Sequence, residues 1–171
     1  MPQAGSGPNR WDLIEGLNVI GVDGESPAAG QHLLRLTALA SEGRHAIAVR
    51  FGGLTADTVY RVTLWLKANP TNRIMIEARD AVVATTGKPS NYGVAQFDMI
   101  GRTVIKTSGD FVGQGVEQAP DGWLKVWSNI STKDGQIFVL VGMLESPRNL
   151  HVFKGAGQDL ILGGFEIALR Q

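Results

Sequence analysis

Residues 59–68 alternate without a break. Tyr60, Val62, Leu64 and Leu66 point one way, and Arg61, Thr63, Trp65 and Lys67 point the other. Such a period of two marks a strand with one dry and one wet face, because successive side chains leave a strand on opposite sides. A helix would scatter the same four apolar residues around its circumference. The segment therefore demands a sheet whose buried side meets a second layer.

The same pattern recurs along the chain. Residues 45–51 set Ile47, Val49 and Phe51 against Ala46, Ala48 and Arg50. Residues 73–79 set Ile74, Ile76 and Ala78 inward, with Met75, Glu77 and Arg79 outward. Residues 135–145 set Ile137, Val139, Val141 and Met143 against Phe138, Leu140, Gly142 and Leu144; the apolar second face predicts a sheet that is covered. Asp121-Gly122, which both tolerate positive φ, turns the chain into another strand. There Leu124, Val126, Ser128 and Ile130 share one face, and Trp123, Lys125, Trp127 and Asn129 the other.

Shorter strands are expected over 17–22, 92–99, 102–107, 115–118, 150–153 and 159–170. In the last, Gly163-Gly164 suggests a bulge or a close backbone approach. Residues 31–40 are ambiguous. Leu33, Leu34, Leu36 and Leu39 fit a helical stripe, but the turn at Ser41-Glu42-Gly43-Arg44 and the neighbouring strands favour a hairpin. With 22 glycines to punctuate it, the chain reads as all-β, with about ten strands in a sandwich or barrel. Residues 1–10 read as a flexible lead-in and 11–171 as a single β-sandwich domain. No apolar signal-peptide core is visible in 1–10, so compartment is left open, with secreted or cell-surface settings both compatible.

Charge narrows the partners. Sixteen basic and sixteen acidic residues cancel, and no run of Lys or Arg exists. Nucleic-acid and anionic-membrane surfaces need a positive excess, so neither partner is expected. No apolar run approaches the ~20 residues that span a bilayer. Cysteine is absent, which removes disulfides, thiolate metal sites and a cysteine nucleophile.

Catalytic chemistry is poorly supplied. His32, His45 and His151 are scattered without metal-ligand spacing and read as strand-surface residues. Gly155-Ala156-Gly157 lacks the rest of a phosphate-binding fingerprint and reads as a turn. Glu77, Asp80, Asp98, Glu117 and Glu145 are raw material for a pair of facing carboxylates, the requirement of a glycan lyase or hydrolase. That is the weakest of three functional readings, and no enzyme is expected.

The segment Tyr60-Arg61-Val62-Thr63-Leu64-Trp65-Leu66-Lys67-Ala68 resembles the strand Y-x-h-S/T-h-W/Y-h-K-A, where h is apolar, of jelly-roll carbohydrate-binding modules and of related domains attached to phage-tail and cell-surface proteins. Ala95-Gln96-Phe97-Asp98-Met99, Gly101-Arg102-Thr103-Val104, Val116-Glu117, Asp121-Gly122-Trp123-Leu124-Lys125-Val126 and Leu160-Ile161-Leu162-Gly163-Gly164-Phe165-Glu166-Ile167 follow the order of that family. The resemblance, which covers roughly 30–170, implies a jelly-roll sandwich of two antiparallel sheets and often a structural calcium. Many members place an ion-binding aspartate in the last strand, where this chain has Gly163-Gly164; Glu15, Asp23 and Glu25 are the remaining oxygen donors. No cofactor is expected, with a structural calcium as the minority reading.

These observations make a non-catalytic, lectin-like module the leading reading. Sugar rings stack their C–H faces on indole and phenol rings, while their hydroxyls need polar partners. Trp65 and Trp127 sit on the polar faces of their strands. If those strands share a sheet, Arg61, Lys67, Glu77, Arg79 and Asn129 lie near both rings, and Tyr92 is a candidate at the loop rim. Trp123 reads as packing. The partner would be an oligosaccharide or polysaccharide. The rival reading is an assembly module of a larger surface or phage-tail-like protein, whose aromatic face makes contacts in a homo-oligomer or within a multidomain parent chain.

Overall fold

The computed structural model describes residues 11–68, 73–80, 84–146 and 148–170; residues 1–10 and Asn69-Pro70, where a proline that cannot donate to a ladder is expected to end the strand over 59–68, lie outside them. Fourteen strands and a single 3-10 turn account for the regular structure among the described residues. In chain order they are β1 (Leu13–Glu15), β2 (Leu17–Val22), β3 (Leu33–Ala38), β4 (Glu42–Gly43), β5 (Ala46–Phe51), β6 (Thr58–Ala68) and β7 (Arg73–Arg79). The second half adds β8 (Tyr92–Asp98), β9 (Thr103–Gly109), β10 (Gln114–Gln118), β11 (Leu124–Thr132), β12 (Ile137–Met143), β13 (Phe153–Lys154) and β14 (Asp159–Leu169). The excess over ten comes mainly from β1, β4 and β13, which are only two or three residues long.

Two six-stranded antiparallel sheets carry the fold. Sheet I has the order β1-β5-β12-β7-β8-β9, and sheet II the order β10-β11-β6-β14-β3-β2. The expected hairpin at 41–44 does not form. β3 lies in sheet II and β5 in sheet I, so the chain crosses between layers there, and β4 pairs with β13 instead. Likewise the short strand expected over 150–153 is replaced by β13; Leu150 makes only a bridge to Glu145.

Alternation decides what enters the core. Tyr60, Val62, Leu64 and Leu66 of β6 are buried, facing Ile74, Ile76 and Ala78 of β7 and Ile137, Val139, Val141 and Met143 of β12. The Tyr60 hydroxyl accepts a 2.7 Å bond from Thr55 N, which satisfies the one polar atom of that row. Asp121 and Gly122 adopt φ of 59° and 77°, the left-handed pair the turn into β11 needs. Leu124, Val126, Ser128 and Ile130 then fall inside.

Ser128 is the odd member of that row: fully buried, with its hydroxyl unpartnered. A buried hydroxyl without a partner costs about 1–3 kcal/mol. Ser128→Ala is therefore expected to raise stability by about 1 kcal/mol, read as a higher urea midpoint at unchanged slope.

His45 departs from expectation, since it is 1% exposed rather than on the surface. Its ring nitrogens lie 2.7 Å from Gly16 O and 3.0 Å from Phe153 O, and its ring rests 4.5 Å from that of Phe153. The chain places it where it crosses from sheet II to sheet I, which closes neighbouring segments over it. His32 and His151 are exposed as expected, though neither lies in a strand.

Candidate functional site

Each sheet has an outer face, and the eight candidate residues divide between them. β6 pairs with β11, so Trp65 and Trp127 do share a surface, together with Arg61, Lys67 and Asn129. Glu77, Arg79 and Tyr92 do not. β7 and β8 belong to sheet I, which puts these three on the opposite side of the molecule. The chain crosses between sheets after β6, so neighbours in sequence become residents of opposite faces.

On sheet I, cross-strand pairing aligns Phe138, Arg79 and Tyr92 in one row. The Arg79 guanidinium lies 5.0 Å from the Phe138 ring centre. Tyr92 opens β8 rather than a loop. Desolvation, with the neighbouring Glu77 carboxylate and a hydrogen bond to it, raises the phenol's pKa above 10.0. The polar groups of this row therefore already have partners. Beside them Ala46, Ala48, Met75, Leu140 and Leu144 pack into a second apolar cluster on the outer face, so the apolar second face of β12 is buried.

The outer face of sheet II is laid out by register. One row runs Gly164, Trp65, Lys125, Glu117; the next runs Glu166, Thr63, Trp127, Gly115; the third starts Ala168, Arg61, Asn129. Trp127 is held on several sides. Its Nε1 donates a 2.9 Å bond to Glu117, and the Arg61 guanidinium stacks 4.0 Å from its centre. Arg61 Nε also donates to Asn129 Oδ1 at 2.9 Å. Gly115 lets the ring lie flat, since a Cβ there would stand 2.8 Å from Cζ2. The open stacking platform expected of Trp127 is thus already occupied by a guanidinium.

Trp123 is 6% exposed and serves packing, its ring lying against Gly163 with Lys67 Nζ 4.5 Å above. The Gly163-Gly164 pair shows both anticipated features: the pairing register shifts between Leu162 and Gly164, and a loop lies directly on the backbone. Ser26 Oγ donates to Gly163 O, and Gln31 bridges Phe165 N and O at 2.9 and 3.0 Å. This donor set does not suit calcium. The Gly163 carbonyl already accepts a hydrogen bond, Glu15 pairs with Arg44 at 2.9 Å, Asp23 and Glu25 are exposed, and no three His, Cys, Asp or Glu side chains converge among the described residues.

Beside Trp65 the surface opens into a cleft of about 380 Å³, lined by Arg61, Thr63, Trp65, Lys125, Glu166 and Arg170 among others. Here the polar groups differ from those around Trp127. Thr63, Lys125, Glu166 and Arg170 have no side-chain hydrogen-bond or ion-pair partner among the described residues. Desolvation raises the Glu166 pKa above 4.5, and the Lys125 charge opposes part of that shift. A raised carboxyl pKa penalises the folded state as pH climbs from the unfolded value through the folded one; below both, the two states are equally protonated. Glu166→Gln is expected to gain stability relative to the parent between acid and neutral pH, measured as a growing difference in melting temperature.

Thr63, Lys125, Glu166 and Arg170 were missed as site residues. The alternation placed Thr63 and Lys125 outward, but only the pairing of β14 with β6 brings Glu166 and Arg170 to the same cleft.

The five carboxylates considered for glycan cleavage all have structural partners. Asp80 is buried and accepts from Asn91 N at 3.0 Å and Lys133 N at 3.2 Å. Asp98 accepts from Ile100 N and Gly101 N, Glu117 holds Trp127, Glu145 pairs with Arg148, and Glu77 meets Tyr92.

No protein-family profile matches the chain, and no curated protein is a significant match. Solved structures do match. TmCBM61, solved with β-1,4-galactotriose, superposes at a TM-score of 0.50 with 16% identity, over 94% of this chain and 86% of that one. The fold is a jelly-roll sandwich like that of this carbohydrate-binding module. The N-terminal CBM22-1–GH10 modules of Clostridium thermocellum endo-1,4-β-D-xylanase 10B, solved with xylohexaose, match at 0.55 with 13% identity over 94% of this chain. The enzymatically active domain of bacteriophage CBA120 tailspike protein 4 matches at 0.54 with 9% identity over 95%. The chain spans only 26% of that xylanase chain and 20% of that tailspike chain, so those likenesses concern one module of each. At such identities the likeness is one of fold.

Proposed function

We propose that this protein is a non-catalytic glycan-binding module whose site is the sheet II cleft beside Trp65. The observation that carries this reading is the cleft itself. It joins an indole wall to Thr63, Lys125, Glu166 and Arg170, whose side chains have no hydrogen-bond or ion-pair partner among the described residues, which is what a sugar ring with its hydroxyls requires. Trp127, Arg61 and Asn129 brace one side of it, and Thr63 lies on the sheet beneath. Two of the structural neighbours were solved with oligosaccharides, which supports the ligand class and leaves the face to be decided by the geometry. The protein acts by binding and makes no covalent step.

A polysaccharide panel in affinity electrophoresis tests this. The parent protein is expected to be retarded by at least one glycan, Trp65→Ala to lose about tenfold or more in affinity, and Tyr92→Ala to bind normally. A parent protein that binds nothing ends the reading. Loss on Tyr92→Ala with binding retained by Trp65→Ala moves the site to sheet I.

A further inference from the structure

We infer that the sheet II cleft selects anionic saccharides, those bearing a uronate carboxylate or a sulfate ester. The inference rests on the glycan-binding reading of the same cleft and concerns its charge.

The chain as a whole is neutral, with sixteen basic and sixteen acidic residues, yet the cleft is not. Among the described residues, Arg61, Lys125 and Arg170 line it against a single carboxylate, that of Glu166. Of the other acids on this face, Glu117 is turned to the Trp127 indole and Asp159 pairs with Arg35. Lys67, the remaining cation on β6, lies over Trp123. Among the described residues neither Lys125 nor Arg170 has a side-chain hydrogen-bond or ion-pair partner, and they approach from β11 and from the end of β14, on opposite sides of β6. Lys125 stands directly across from Trp65, and Arg170 follows the Leu169–Tyr60 pair at the far end of the cleft, so a saccharide of more than one ring running along the cleft from Trp65 would meet positive charge at both ends.

Glu166 gives the cleft its polarity. Its own ionisation is disfavoured by desolvation, and Lys125 is the charge that offsets this. A second anion arriving in the cleft would take up Lys125 and Arg170, and the Thr63 hydroxyl and Trp65 would remain for the neutral part of the saccharide. Charge-assisted hydrogen bonds of this kind are about twice as strong as neutral ones. They also weaken with salt, since the pocket is open to solvent and screening acts over ~8 Å at physiological ionic strength.

Matched polysaccharides decide the matter. Polygalacturonate against its carboxyl-reduced form isolates the carboxylate, and chondroitin sulfate against chondroitin isolates the sulfate. Titration calorimetry should show at least one anionic member bound about tenfold more tightly than its matched partner, with the preference shrinking in high salt. Lys125→Gln and Arg170→Gln should each remove most of that preference, Glu166→Gln should enlarge it, and Trp65→Ala should weaken both members of a pair. Equal affinity within both pairs overturns the charge inference while leaving glycan binding intact. A preference that survives the Lys125→Gln/Arg170→Gln double variant overturns it as well. Failure to bind any glycan removes both readings together.

Discussion

His45→Ala is expected to destabilise the protein by about 3 kcal/mol. For a domain of this size that lowers the melting temperature by roughly 6–12 °C. The side chain is buried, reaches the carbonyls of Gly16 and Phe153, and rests at a tilt against the Phe153 ring. Alanine would lose both polar contacts and leave a cavity between the β1–β2 junction, the start of β5 and β13. His45→Phe separates the terms: it keeps most of the volume and removes the ring N–H that can donate to one of the two carbonyls, so it should cost about 1–2 kcal/mol. Thermal unfolding of the parent and both variants checks this. An alanine variant within about 0.5 kcal/mol of the parent, the range of ordinary surface substitutions, would mean that the ring is not a tie between these segments.

His45 also shows where reading from sequence stops. Alternation in residues 59–68 is strict, and every inward assignment there is buried. Local periodicity reports which side of a strand is dry, because the pleat enforces it at each residue. It says nothing about which strands pair. Trp65 and Trp127 were placed together because β6 and β11 happen to be neighbours in sheet II; Glu77 and Arg79 carry the same outward signature, yet they sit in sheet I. The hairpin expected at 41–44 failed for the same reason, as the turn connects layers rather than adjacent strands. His45 follows that turn, so the sheet crossing buries a residue whose type suggested surface.

The site was legible to the same degree. A polar-faced tryptophan on β6 was visible in the sequence, and it forms the cleft wall. Two of the partners that make the cleft chemically specific, Glu166 and Arg170, come from β14 and the residue after it, and their alignment depends on a register that shifts between Leu162 and Gly164. Trp127 illustrates the converse. Its outward position was clear, but the stacking of Arg61 on it is a matter of cross-strand diagonal geometry, which a single strand's pattern does not encode.

Gly164→Val is expected to cost about 3 kcal/mol, at the upper end for an overpacked site. The glycine is not there for its dihedrals, since its φ lies outside the left-handed range; it is there for space. A Cβ at this position would stand 2.3 Å from the Ala28 methyl and 3.4 Å from the Trp65 ring. Two outcomes are open to the chain: lift the loop that carries Ser26 and Ala28, or push Trp65 toward the cleft. Lifting the loop breaks the Ser26–Gly163 hydrogen bond and the Gln31 bridge to Phe165. Ala28→Gly removes the methyl on the other side of the clash, so in a double-mutant cycle with the milder Gly164→Ala the two changes should couple by about 1 kcal/mol or more, the second partly rescuing the first. Strict additivity would show that the loop does not rest on this strand. If Gly164→Ala also weakens glycan binding while Ala28→Gly restores it, then the loop does more than cover the backbone: it sets the position of the indole against which the sugar stacks.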